Sequence, residues 1–121
     1  MKSLVVLRVV AVLHAVAACL QPVLAGVYLN GSGSAMRLHE PIGLGLAFLS
    51  LGQVLLATIY WRSGGKGSAA LVSLLLLAAE AIQISTGYTR DLAVHIPLGI
   101  TIVALVIAFA IWTFRPAARP A

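Results

Sequence analysis

The sequence predicts an all-α polytopic membrane protein, a bundle of four transmembrane helices built from two tandem helical hairpins. Of its 121 residues, 61% are hydrophobic and only 9% are charged, whereas a soluble domain carries roughly 25% charged residues. Four stretches have the length, about 20 apolar residues, that is needed to cross a bilayer. A pattern that contains a histidine also occurs twice. A soluble enzyme and a nucleic-acid-binding protein are poor interpretations, because the net charge of +5 comes from dispersed basic residues among few acids.

Short polar connectors separate the four predicted helices. The spans cover about residues 4–29, 35–60, 68–88 and 92–114. The connectors, residues 30–34, 62–67 and 89–91, contain the glycine, serine and polar residues typical of turns. We therefore expect a single four-helix transmembrane domain over residues 1–121.

The basic residues predict the orientation of these helices. Cytoplasmic loops of membrane proteins carry an excess of lysine and arginine. Two basic residues, Arg37 and Arg90, fall on one side of the predicted bundle. Six fall on the other side: Lys2, Arg8, Arg62, Lys66, Arg115 and Arg119. The sequence thus predicts a multi-pass protein of a bacterial cell membrane, surrounded by lipid, with both termini in the cytoplasm.

The second and fourth spans open with the same pattern. Residues 38–43 read LHEPIG and residues 94–99 read VHIPLG, so both follow apolar-His-x-Pro-aliphatic-Gly. The preceding spans also correspond, since Gln21 and Gln83 end matching segments. Two hairpins of the same orientation predict a pseudo-twofold axis along the membrane normal.

This symmetry predicts a haem site between His39 and His95. In a four-helix bundle with short loops the second and fourth helices lie diagonally opposite, so both imidazoles face the bundle centre at one depth near the outer face. An iron tetrapyrrole between them would receive a nitrogen on each face, which is bis-histidine ligation. Gly43 and Gly99 follow the histidines by four residues on the same helix face, where they leave space for a porphyrin.

Four more residues are candidate contacts of this cofactor. Gln21 and Gln83 are candidates for hydrogen bonds to a ligand imidazole or to a propionate. Arg37 and Arg90 precede the histidines and are candidates to pair with haem propionates. Plainer roles stay open: helix packing for the glycines, interhelical hydrogen bonds for the glutamines, solvated charge for the arginines and a helix cap for either histidine.

A second group of polar residues, His14, Gln53 and Glu80, lies deeper in the spans. Ionisable residues inside a membrane are costly and usually face the bundle interior. These side chains are candidates for a proton or quinone site, or for a polar cluster that fixes helix pairing. No second histidine accompanies His14 at its depth, so a second bis-histidine haem is not expected. Met36 together with the outer histidines is a candidate copper ligand.

On the LHEPIG and VHIPLG motifs, with Gln21 and Gln83 in support, the chain resembles one four-helix half of the haem A synthase family. It also resembles the small four-helix b-type cytochromes of bacterial membranes. The resemblance implies binding of haem b. The synthase family has two such bundles in one chain, so a homodimer would restore the eight-helix arrangement. That family carries a carboxylate just ahead of a ligand histidine, whereas here Glu40 follows His39.

These observations lead to three functional hypotheses. The first is a membrane b-type cytochrome that transfers single electrons, an oxidoreductase component whose partner is a quinone or a respiratory redox complex. The second is a cofactor-free accessory subunit of a larger membrane complex. The third is a small transporter or proton path that uses His14 and Glu80.

Overall fold

The computed structural model describes residues 2–119, which form four α-helices joined by short turns. The helices are α1 (Lys2–Leu29), α2 (Met36–Arg62), α3 (Gly67–Tyr88) and α4 (Leu92–Thr113). Short 3-10 turns cover Gly33–Ala35 and Pro116–Ala118. The described residues contain no strand, so the predicted all-α class is confirmed. All four helices are long and apolar enough to cross a membrane.

The turns reverse the chain with left-handed backbone at three positions. Gly31 and Gly64 have φ angles of 98° and 90°, a conformation that glycine adopts without steric cost. The tightest connection, between α3 and α4, instead uses Arg90 at a φ of 57°. There the Asp91 N–H donates to the carbonyl of Thr86 at 2.9 Å, which gives this carbonyl near the end of α3 a hydrogen-bond donor. Helix α4 begins at the next residue, Leu92.

The four helices form an up-and-down bundle in which sequential neighbours pack side by side. α1 contacts α2 and α4, and α3 also contacts α2 and α4. α2 and α4 therefore lie diagonally opposite, which is the arrangement that the short loops predict. We call the end that carries Lys2, Arg62, Gly67 and Thr113 the terminal end of the bundle. The opposite end, which carries Leu29, Met36, Tyr88 and Leu92, is the distal end.

The terminal end is closed by side chains that contact the end of α4 and the residues that follow it, up to Ala118. The buried Tyr60 hydroxyl donates to the carbonyl of Ala118 at 2.8 Å. The Arg8 guanidinium donates to the carbonyl of Thr113 at 2.7 Å and lies over the Phe114 ring at 5.2 Å. Together they fasten the segment after α4 against the start of α1 and the end of α2.

The outside of the bundle is apolar on every helix. Large side chains such as Phe48, Leu75 and Ile100 are 77%, 60% and 66% exposed. In water, a continuous apolar surface of this kind on so small a chain would favour aggregation, because large exposed apolar patches mark contact surfaces. The same surface suits contact with lipid tails.

Candidate cofactor site

The repeated motif occupies the same register in the two diagonal helices. His39 and His95 are each the fourth residue of their helix, α2 and α4. Pro41 and Pro97 are each the sixth residue, inside the helix. Because proline has no N–H, each leaves a carbonyl of the first helical turn without its usual intrahelical donor. The sequence repeat is thus a structural repeat of the distal end.

His39 and His95 meet in the centre of the distal half. Their ring centroids are 6.3 Å apart and their planes are tilted by 56°. Both residues are half-buried. They come from diagonal helices, so the space between them is the axis of the bundle. The structure therefore brings these two predicted residues together.

A backbone carbonyl of the preceding helix holds each imidazole. His95 Nδ1 donates to the carbonyl of Gln83 at 2.8 Å, and His39 Nδ1 lies 3.2 Å from the carbonyl of Gln21. A carbonyl oxygen only accepts, so this contact requires a proton on Nδ1 and leaves Nε2 with the lone pair that a metal needs. The two glutamines thus act on the histidines through their backbone.

The Gln21 carboxamide offers His39 a competing contact. When its oxygen accepts from the Gly43 N–H at 3.1 Å, its nitrogen lies 3.0 Å from His39 Nδ1. That contact requires Nδ1 as an acceptor, whereas the Gln21 carbonyl requires it as a donor. A metal bound at Nε2 selects the carbonyl contact, because it needs the proton to stay on Nδ1.

The glycines of the distal half differ in what surrounds them. A Cβ added to Gly99 would lie 2.7 Å from Nε2 of Gln83, so this glycine makes room for a side chain of the site. A Cβ added to Gly43 would make only an ordinary contact of 3.8 Å with Gln21. Gly87 is the position that the sequence interpretation missed: a Cβ there would lie 2.9 Å from Cε1 of His95. The glycine that follows each glutamine in the repeat was its only signal.

The distal half of the bundle lacks a packed interior. The outermost buried residue is Ala18 in α1, Leu46 in α2, Glu80 in α3 and Ile102 in α4. Beyond these four, toward the distal turns, no residue of any of the four helices is buried. About ten residues of α2 and of α4, on the order of 15 Å of helix, therefore lie in a part of the bundle where every helical side chain is at least partly accessible. We call this accessible region, which holds the two histidines, the distal cleft.

The distal cleft is polar where the histidines lie. The Oε1 atom of Gln83 is buried and has no hydrogen-bond partner. Arg37 and Arg90 are exposed at the rim, and neither forms an ion pair among residues 2–119. Arg37 borders a surface pocket with Ser32 and Ser34. The structure thus gathers the glutamines and histidines but leaves the two arginines outside.

No group of three or more His, Cys, Asp or Glu side chains comes together in the described part of the chain. The site therefore offers two imidazoles and no further protein ligand of those types. A bare transition-metal ion usually takes four or more ligands, so the pair suits a group that brings its own equatorial donors.

The deeper polar residues form a separate, fully buried cluster. His14 Nε2 and Glu80 Oε1 lie 2.5 Å apart, and His14 Nδ1 lies 3.0 Å from Oε1 of Gln53. The Gln53 amide donates to Ser73 Oγ at 3.3 Å. Ser50 Oγ and Glu80 Oε2 are buried without a partner. His14, Gln53 and Glu80, which share no sequence motif, are thus joined across α1, α2 and α3.

No protein-family model, no curated protein and no solved structure matches this chain. A function for this chain is therefore inferred from its own residues and their geometry.

Proposed function

We propose that this chain is a membrane b-type cytochrome in which His39 and His95 are the axial ligands of one haem b near the outer face. It transfers single electrons, with a quinone or a membrane redox complex as its partner. The observation that carries the proposal is the pair of imidazoles, which lie in one register on diagonal helices with their ring centroids 6.3 Å apart.

The spacing of the rings supports a metal between them. A metal–imidazole bond is about 2 Å long and its nitrogen lies about 1 Å from the ring centre, so two imidazoles on opposite sides of a metal have centroids about 6 Å apart. The observed separation is 6.3 Å. Tilted aromatic rings in ordinary contact also have centroids about 4.5–7 Å apart, so the support comes from this separation together with the Nδ1 contacts, which leave Nε2 of each ring free to bind a metal.

The remaining features of the cleft support a flat group of this size. A tetrapyrrole supplies four nitrogens of its own, which matches a site that offers two imidazoles. The Gln83 amide lies beside Gly99 and the Gln21 amide lies near Gly43, so these two glycines adjoin the glutamine side chains rather than open space. When bound, haem supplies an iron that accepts and returns one electron. The chain contributes the ligands, their Nδ1 contacts and the apolar walls.

Membrane insertion with both termini in the cytoplasm belongs to the same proposal. It is supported by the four long apolar helices, the apolar outer surface and the six-to-two distribution of basic residues. On this assignment the distal end faces outward. Arg37 and Arg90 then lie at the outer rim, where they would neutralise propionates. A homodimer stays a prediction.

The test is the absorption spectrum of the purified full-length chain supplied with haem b. We expect a Soret band, with sharp α and β bands after reduction by dithionite. His39→Ala and His95→Ala each lose the six-coordinate spectrum, because each removes one axial nitrogen. His14→Ala is the matched control and keeps it. A wild-type chain that folds and takes up no haem, or an unchanged spectrum in both outer variants, would contradict the proposal.

A proton-carrying function is the second candidate, and the buried His14–Glu80 pair favours it. Proton uptake by liposomes that contain the haem-free protein, lost in Glu80→Gln, would support it over electron transfer. The accessory-subunit hypothesis has less support, since it does not account for the pair of imidazoles in the distal cleft.

A further inference from the structure

The buried pair of His14 and Glu80 lies directly beneath the distal cleft. Glu80 is the outermost buried residue of α3 and is 4% exposed. Glu80 therefore lies at the boundary between the distal half, which has no buried helical residue, and the packed interior. His14, on α1, is completely buried. The core on the terminal side is closed by side chains such as Leu7 and Tyr60, both 0% exposed.

On the distal side of the pair, none of the four helices holds a further buried residue. The Glu80 carboxyl group turns one oxygen to His14 and leaves the other, Oε2, buried without a partner. Ser50 Oγ is also buried without a partner. A buried polar atom without a partner is costly. The cluster therefore has two unpaired oxygen atoms at which a further proton would find an acceptor.

We infer that the His14–Glu80 pair is a proton-binding site linked to the redox state of the histidine pair. This inference rests on the proposed haem site. The electron comes from a quinol, which two such transfers oxidise to a quinone with release of two protons to the aqueous phase. Each electron adds one negative charge to the distal site. One proton from the outer aqueous phase binds the His14–Glu80 pair and compensates that charge.

Helix α3 connects the two sites. Glu80 and Gln83 are three residues apart, about 4.5 Å along the helix axis. The Gln83 carbonyl accepts the Nδ1 proton of His95 at 2.8 Å. A charge between the histidines is thus on the order of 10 Å from the Glu80 carboxyl group. At an effective dielectric constant of about 20, that distance changes the proton affinity about tenfold.

Among residues 2–119, no other titratable group forms a hydrogen bond or ion pair with the His14–Glu80 pair. The Gln53 side chain, whose Oε1 lies 3.0 Å from His14 Nδ1, is neutral. Ser73, which accepts from Gln53, and the buried Ser50 are also neutral. The buried side chains of α4 do not titrate at neutral pH: Ile102, Val106, Phe109, Ala110 and Thr113. Arg8 is turned to the terminal end, where it donates to Thr113. The histidine pair is the remaining neighbour on the distal side.

The experiment is a potentiometric titration of the haem-loaded full-length chain from acid to alkaline pH, followed at the Soret band. We expect the midpoint potential to fall as pH rises, by about 60 mV in total for a tenfold change in proton affinity. Glu80→Gln removes this dependence. Asp91→Asn, which neutralises an exposed carboxylate in the α3–α4 turn, leaves it unchanged.

Haem propionates also titrate, and a second measurement separates them. Wild-type chain loaded with the dimethyl ester of haem b has no free propionate, and the pH dependence should persist. In the haem-free chain, the infrared carboxyl signal should contain a buried component that is absent from Glu80→Gln. A pH-independent midpoint in the ester-loaded chain, an unaltered dependence in Glu80→Gln, or no such component overturns this inference alone. Failure to bind haem at all overturns the cytochrome proposal as well.

Discussion

Gly87→Ala is the substitution that best tests whether the position of His95 matters to the site. The new Cβ would lie 2.9 Å from Cε1 and 3.2 Å from Nδ1 of the imidazole. Since ordinary Cβ contacts begin near 3.4 Å, the ring must move by about 0.5 Å. The hydrogen bond from Nδ1 to Gln83, at 2.8 Å, lies in the path of that movement.

The energetic effect follows from those contacts. Loss of one hydrogen bond costs about 0.5–1.5 kcal/mol, and overpacking costs about 1–3 kcal/mol. Replacement of a helical glycine by alanine returns up to about 1 kcal/mol. The net loss is therefore about 0.5–3.5 kcal/mol, with a midpoint of about 2 kcal/mol. If the midpoint loss falls on the bound state, haem affinity drops more than tenfold, because each 1.4 kcal/mol corresponds to a factor of ten.

The first hairpin supplies the control for this experiment. Gly26 lies five residues after Gln21, whereas Gly87 lies four residues after Gln83, and a Cβ added to Gly26 meets nothing within 4 Å. Gly26→Ala gains a similar helix propensity without displacing His95. Haem titration followed at the Soret band should give weaker binding for Gly87→Ala only. Equal affinity and identical spectra in both variants would refute the assignment of His95 as a ligand.

Two further predictions concern the terminal end and the orientation. Tyr60→Phe removes the donor to the buried Ala118 carbonyl and should lower the free energy of unfolding by about 1–3 kcal/mol, measured by thermal unfolding. Tyr28→Phe, at a side chain 42% exposed, should change it little, and an equal effect of both would contradict this role of Tyr60. In a Cys19→Ala background, Ser32→Cys should react with an impermeant maleimide in intact cells, whereas Ser63→Cys should react only after the membrane is opened. The opposite labelling pattern would reverse the proposed orientation.

The helices were predictable because their signals are local. Length, apolar composition and the glycines of the connectors suffice for the four helices, and every helix boundary lies within about two residues of the predicted spans, the usual uncertainty at helix ends. The repeat predicted equivalent depth for His39 and His95, because identical register on two helices of the same direction places residues at one level. Short loops predicted that these helices are diagonal.

Other features required the packed chain. The contact of Gly87 with His95 crosses from α3 to α4, and residue identity alone does not show which glycine adjoins a ring. Pairing of Arg37 and Arg90 with propionates stays a prediction, and both side chains lie exposed at the rim. The backbone carbonyls of the two glutamines, and not their side chains alone, contact the imidazoles. Every residue has a backbone carbonyl, so a sequence motif cannot show which carbonyl makes such a contact.

Hydrophobic runs and a duplicated motif were enough to predict an apolar four-helix chain with two equivalent histidines. Spans and repeats can be recognised in this way because each depends only on residues that are adjacent in the sequence. Three features are visible only in the tertiary structure. They are the 6.3 Å separation of the rings, the distal cleft, and the contact between His14 and Glu80. Each depends on distances between side chains of different helices. Those distances depend on how the surfaces of all four helices pack together, and no single helix determines that packing.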